Sequence, residues 1–296
     1  SVKVGLPAWV ALLAAILSGV AIGLLQGWWT AKMHVPAFVV TLAGFLGWQG
    51  LLLYVLGSTG TVNLTDPLII GIANSLLPVV WGWLLGLVLV AGYALNLFWD
   101  RRRRLQAGMP VPPLLALIGR VALLGGCLAL ALAMRSIHRN PNRAIPIQGL
   151  PTGVLIFLGF VIVFDFITQR TRFGRYIFAV GGNAEAARRA GINVDRIRIM
   201  VFMFCSALAA CGGILAGSRL YAVNQSSGSG DVLLNAIAAA VIGGTSLFGG
   251  RGSTWSALLG ALVIGAIANG MDLLALASSI RFMVTGAVLL LAVTLD

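Results

Sequence analysis

Polar residues in this chain are confined to short intervals, and the stretches between them are almost wholly apolar. ALLAAILSGVAIGLL (11–25) and LLALIGRVALLGGCLALALAM (114–134) are typical. Such runs are continuous, whereas the strand of a membrane barrel alternates apolar and polar residues over about ten positions. They read as bilayer-spanning helices, which need about 20 residues each. Nine segments qualify, at 8–29, 38–56, 79–98, 114–134, 152–168, 199–219, 232–249, 254–275 and 280–295. The expected fold is an all-α polytopic membrane protein with about nine transmembrane helices, in a single domain over 1–296. Segments 79–134 form a hairpin within it, and 232–249 either crosses or re-enters.

Composition agrees with the pattern. Only 9% of the 296 residues are charged, against roughly 25% in soluble domains. A soluble chain of this size could not cover its surface with so little charge. The formal net charge of +12 lies in loops that lack interleaved aromatic residues, which argues against a nucleic-acid partner and for topology signals. If 169–198 is cytoplasmic, alternation puts 30–37, 99–113 and 250–253 on the same side. That side then holds Lys32, Arg101 to Arg104, seven arginines of 169–198 and Arg251. Lys3, Arg135, Arg139, Arg143, Arg219 and Arg281 lie opposite. The bias places the C-terminal end of the chain inside, although the loop around SIHRNPNRA runs against it.

Cys127, Cys205 and Cys211 sit within apolar runs without metal or redox spacing and are expected to be small buried residues. With only His34 and His138 besides, no metal site is expected. Gly23/Gly27, Gly82/Gly86 and Gly213/Gly217 have the spacing that lets membrane helices approach closely. The chain opens on SVKVGLPAW without an initiator Met, which suggests a piece of a longer protein.

One long polar stretch interrupts the pattern, GGNAEAARRAGINVDRIR (181–198). Gly181-Gly182 reads as a turn. Asn183 is a helix N-cap, and Glu185 suits the positive end of the helix dipole. AEAARRA favours helix. Gly191 ends it as a left-handed C′ residue, with Arg188 and Arg189 suited to that end. The prediction is a helix of about two turns over 184–190, either a solvated surface helix or a docking element. The preceding QRTRFGRY suits the headgroup boundary.

The residues GRYIFAVGGNAEAARRAGINVDRIRI (174–199) resemble the coupling loop of ABC-importer permeases of the ribose/xylose/arabinose family. LNAIAAAVIGGTSLFGGRGS (234–253), GALVIGAIANGMDLL (260–274), GWWTAKMHVPAFVVTLAGFLGWQG (27–50) and RAIPIQGLPTGVLI (143–156) extend the likeness along most of the chain. GWW and the hairpin with DRRRRLQAGMP are similar to the xylose branch rather than the ribose branch. The family's Ile-Asp-Leu-Ser-Val-Gly segment is missing, so the resemblance implies that about three N-terminal spans lie outside this chain. ARRAGI is also more basic than in many relatives.

The resemblance implies a permease bundle in a bacterial inner membrane, working as two permease copies with an ABC ATPase and an external sugar-binding protein. The ATPase would dock on Gly181, Gly182, Asn183, Glu185, Ala186, Ala187, Arg188, Arg189, Gly191 and Ile192. ATP and magnesium would be bound by the ATPase, because the nearest match here to a phosphate loop, GTSLFGGRGS, lacks the lysine. No nucleophile–base set suggests an enzyme. Polar residues within spans are functional candidates, so Gln225, Asn235, Asn269 and Asp272 are possible path residues. Caps or interhelical hydrogen bonds are the simpler explanation of each. A permease for ribose, galactose, a furanose signal or a branched-chain amino acid is an alternative, as is an ion-coupled transporter. Intramembrane carboxylates, which the latter needs, approach only at Asp165 and Asp272.

Overall fold

A computed structural model describes residues 5, 7–57, 60–106, 108, 113–136, 149–228 and 231–294. Its elements follow in chain order: α1 (Ala8–Lys32), α2 (Ala37–Leu56), β1 (Thr61–Asn63), α3 (Pro67–Asn74), β2 (Leu76–Leu77), α4 (Val79–Gln106), α5 (Leu114–Ser136), β3 (Leu150–Pro151) and α6 (Thr152–Arg170). Then come α7 (Arg172–Gly182), α8 (Ala184–Arg189), α9 (Val194–Leu220), β4 (Ala222–Asn224), α10 (Asp231–Ile242), α11 (Thr254–Leu273) and α12 (Ser278–Thr294). Six of them are long and apolar enough to cross a membrane: α1, α2, α4, α6, α9 and α11. Of the remaining expected spans, α5 has 23 residues and α12 has 17. The expected span 232–249 is not one helix. Helix α10 stops at Ile242 after 12 residues, about 18 Å, short of the about 30 Å apolar core. The chain then turns through glycines with positive φ, Gly244 (94°), Gly249 (88°) and Gly250 (74°).

The chain forms two compact units, one of residues up to 71 with 156 onward, the other of 72–155. In the first, α1 lies along α9. A side chain added at Gly19 would sit 2.8 Å from the Ser206 carbonyl oxygen, at Gly23 2.5 Å from that of Phe202, and at Gly27 3.0 Å from Ile199 Cα. The glycine stripe is what lets the two backbones touch, in a medium that offers no hydrophobic drive. The same device joins α10 to α11, where Gly260 abuts the Ala239 carbonyl and Gly243 that of Ser256. At Gly213, by contrast, an added Cβ would meet nothing within 4 Å among the described residues.

Opposite ends of this unit can be told apart by contacts. At one end β1 pairs antiparallel with β4. There the fully buried Ser218 hydroxyl donates to the Ile70 carbonyl at 2.9 Å, and Tyr221, at φ 57°, closes α9. The other end gathers the 170–195 segment, the α1–α2 connection and the α10–α11 turn. In the second unit α4 packs on α5, with Leu132 over Gly82 and Gly86, and β2 pairs with β3. Thr152 Oγ1 donates to the carbonyls of Ile72 (2.6 Å) and Ser75 (3.1 Å).

Candidate functional site

The polar end of the first unit is built on α7 and α8. Thr171 caps α7, its hydroxyl accepting from the Gly174 amide at 3.2 Å. Gly174 packs directly on the Thr168 carbonyl, so the chain is tight at the junction of α6 and α7. Phe173 then meets Phe204 of α9 at 5.5 Å, and Phe164 of α6 meets the same ring edge-on at 6.0 Å. Three helices, α6, α7 and α9, therefore share one aromatic cluster.

Helix α8 is fixed at both ends by its own residues. The Asn183 Oδ1 accepts from the Ala186 amide at 2.9 Å. The same residue closes α7, its amide donating to Ala179. At the far end Ile192 N–H reaches the Ala187 carbonyl and Gly191 N–H that of Arg188, both at 3.0 Å, with Gly191 at φ 81°. These paired bonds, six-to-one and five-to-two, make a Schellman motif. Asn193 immediately caps α9, accepting from the Arg196 amide at 3.0 Å.

The expected positions fall out as follows. Glu185, Ala186, Arg188 and Arg189 are exposed, and Glu185 pairs with Arg188 (3.5 Å) and Arg189 (3.4 Å). Ala187 is turned inward at 4% exposure, and Ile192 is half-buried, so neither belongs to the outward face. Gly181-Gly182 is not a turn. Both residues are helical and end α7, and the reversal comes at Asn183, φ −157° and ψ 104°. Gly181 and Gly182 lie against Gly249 and Gly250: a side chain added at Gly181, Gly249 or Gly250 would stand 2.7 Å from the facing backbone, whereas one at Gly182 would point clear of it.

Three of the four loops assigned to one side meet at this end. Lys32, closing α1, pairs with Asp195 at 3.7 Å. The Thr168 and Thr254 hydroxyls, on α6 and α11, are 3.3 Å apart. The Gly–Gly contact brings in 250–253. The fourth loop, 99–113, belongs to the other unit and falls partly outside the described residues. Its arginines Arg102 and Arg103 lie over Phe98 (6.0 Å) and Trp99 (5.4 Å).

The possible path residues are scattered over two helices and a turn. Gln225 is exposed just after β4, Asn235 is half-buried in α10, and Asn269 and Asp272 are exposed on the last two turns of α11. One intramembrane polar pair was not anticipated. Gln26 of α1 lies against Gly44 of α2, and so does the buried, unpartnered indole N–H of Trp48. The signal, two polar groups inside apolar runs, is legible only once α1 and α2 are seen side by side. Cys205 is exposed and Cys211 half-buried, not fully buried as expected, because α9 carries residues on faces that its own chain does not cover. Among the described residues no three His, Cys, Asp or Glu side chains gather as metal ligands.

Comparison with known proteins gives the family. The chain is 37% identical over 295 residues to the xylose transport system permease protein of Escherichia coli K12, covering all of this chain and 72% of that protein. It is 36% identical over 293 residues to the Haemophilus influenzae xylose transport system permease protein, covering 99% of this chain and 75% of the relative. The ribose import permease protein of E. coli K12 matches at 43% over 148 residues, half of this chain and 46% of the relative. No solved structure matches significantly. A family model described as a branched-chain amino acid transport system / permease component matches residues 1–293. With most of its length in apolar helices, the chain is a multi-pass membrane permease of that family.

Proposed function

We propose that the chain forms the membrane path of an ABC importer for a sugar, D-xylose or another pentose, and that a separate ATPase drives it through α8. The observation that carries the reading is α8 itself. Six residues are locked by a cap at each end, with Glu185, Ala186, Arg188 and Arg189 outward, and the flanking helices α7 and α9 share an aromatic cluster with α6. A helix so short is not a span, and a floppy loop would not need two caps. The relatives named for xylose and ribose supply the substrate class.

The basic residues of the α8 end put that end in the cytoplasm, and the C-terminus with it. About nine membrane passes follow if α5, α10 with its turn, and α12 join the six long apolar helices. A second permease copy completes the path. ATP and magnesium belong to the ATPase. Its closure would press on α8 and shift α6 and α9, opening the path to one side at a time. Gln225, Asn235, Asn269 and Asp272 are candidates for lining it, joined by Gln26 and Trp48.

The test uses Ala186→Cys in the full-length protein co-expressed with its ATPase, because position 186 faces outward. A crosslink to the ATPase that shifts on adding ATP is expected. Labelling of this cysteine only from outside the cell would refute the topology. Uptake of labelled xylose, competed better by xylose than by ribose, is the expected result for the substrate; its absence would remove the sugar assignment.

A further inference from the structure

The turn between α10 and α11 is unlike the rest of the apolar surface. Phe248 is 89% exposed and Leu247 56%. Most other large exposed apolar residues lie on long helices that face lipid or neighbours. These two lie on a polar turn, beside the exposed Arg251 and at the same end as Arg188 and Arg189. The turn is held in shape by its own bonds. Gly249 N–H donates to the Ser246 carbonyl (3.3 Å), Phe248 N–H to the Ser246 hydroxyl (3.3 Å), and Ser246 N–H to the Arg251 carbonyl (3.2 Å). Gly249 and Gly250 supply the positive φ, 88° and 74°. An aromatic ring left in water is a poor resting state, since apolar surface gains by burial. On a turn already held by its own bonds it is also a good anchor, because the backbone needs little further ordering on binding.

What covers it follows from the Gly–Gly junction. Gly249 and Gly250 touch Gly181 and Gly182 backbone to backbone, and Gly182 directly precedes the Asn183 cap of α8. A body large enough to cover the outer face of α8 meets this turn next. We propose that residues 245–251 are a second docking element for the ATPase, with Phe248 as its apolar anchor, moving with α8 through the glycine junction. This rests on the reading of α8 as the docking helix. It adds an apolar contact to a face that is otherwise charged, and aromatic residues seated in partner pockets carry much of the energy of interfaces.

The experiment places a benzoylphenylalanine photo-crosslinker at position 186 or at position 248 of the full-length protein, co-expressed with its ATPase in inner-membrane vesicles. Crosslinks to the ATPase from both positions are expected. A crosslink from 186 alone, with 248 joined to lipid or to nothing, overturns the second element and leaves α8 standing. Silence at both overturns the docking reading and this inference together. Independently, Phe248→Ser in reconstituted permease should weaken ATPase binding about tenfold or more. As the side chain is exposed, the fold should hold, shown by an unchanged thermal midpoint. Unchanged affinity would refute the anchor.

Discussion

Replacing Gly23 by alanine tests how α1 and α9 are joined. The new Cβ would stand 2.5 Å from the Phe202 carbonyl oxygen and 2.8 Å from Met203 Cα. Carbon atoms rest about 3.5–4.0 Å apart, so the helices must separate by about 1 Å there. A gap of that size forfeits a quarter to a half of each contact's well of about 0.1–0.2 kcal/mol. Over roughly thirty contacts along the stripe that is about 1–3 kcal/mol, the range usual for overpacking. Alanine also favours helix over glycine by about 1 kcal/mol, which would mask part of the loss. Gly213→Ala supplies the control, because nothing lies within 4 Å of an added Cβ at that position. It carries the propensity gain on the partner helix α9 without the clash. Thermal unfolding of the purified full-length protein, followed by helical circular dichroism, should put Gly23→Ala roughly 3–10 °C below Gly213→Ala. Equal midpoints would refute the claim that the glycine stripe holds α1 on α9.

Other expectations follow from single contacts. Gly260→Leu drives a side chain into the Ala239 carbonyl and should leave little monodisperse protein on size exclusion; Gly265→Leu, with nothing within 4 Å, should behave as the parent. Asn183→Ala removes the acceptor held at 2.9 Å by the Ala186 amide, costing about 1 kcal/mol. Amide hydrogen exchange should quicken across 184–187 while the middle of α9 keeps its protection. Lys32→Gln breaks a 3.7 Å ion pair whose lysine side chain is 56% exposed. Such pairs contribute at most about 1 kcal/mol, so the midpoint should move by no more than about 4 °C.

What could be read ahead of the structure depended on whether the signal was local. The α8 helix was legible because Asn183, Glu185 and Gly191 act within one turn of where they stand. Helix α7 was not. QRTRFGRY looks like a basic and aromatic boundary segment, and what its Phe173 packs on is Phe204, 31 positions away. Hydropathy starts α9 at 199, five residues after its true start at Val194, because it sees the membrane and not the Asn193 cap. The 232–249 run stayed ambiguous for the converse reason. Its composition is apolar throughout, while its backbone is decided by glycines whose φ a hydropathy profile cannot show. Of the three glycine pairs, Gly23/Gly27 and Gly82/Gly86 meet a partner helix and Gly213 does not. Spacing marks a face that could pack, and says nothing of which helix arrives there. The path residues were the least legible, since a neutral sugar imposes no charge pattern on the spans that it passes.

The packing of α9 changes how a push on α8 would spread. Read from sequence, the spans on either side of the polar stretch, α6 and α9, are the natural movers. In the structure α9 is tied to more than its sequence neighbours. Along its length it bears α1 on a backbone-to-backbone seam. At its start Asp195 pairs with Lys32 of the same α1. At its end Ser218 and the β1–β4 pair hold it to 61–70. A glycine seam resists separation, because contact is lost at once along the whole stripe, whereas α6 meets α9 through the rings of Phe164 and Phe204, which can slide past each other by rotamer change. Displacement of α8 should therefore carry α1 and α9 as one body and pivot them against α6. The Gly181–Gly250 junction would draw the α10–α11 hairpin the same way. Gating would then occur where rings and hydroxyls meet, at Phe164–Phe204 and Thr168–Thr254, and not along the glycine seams.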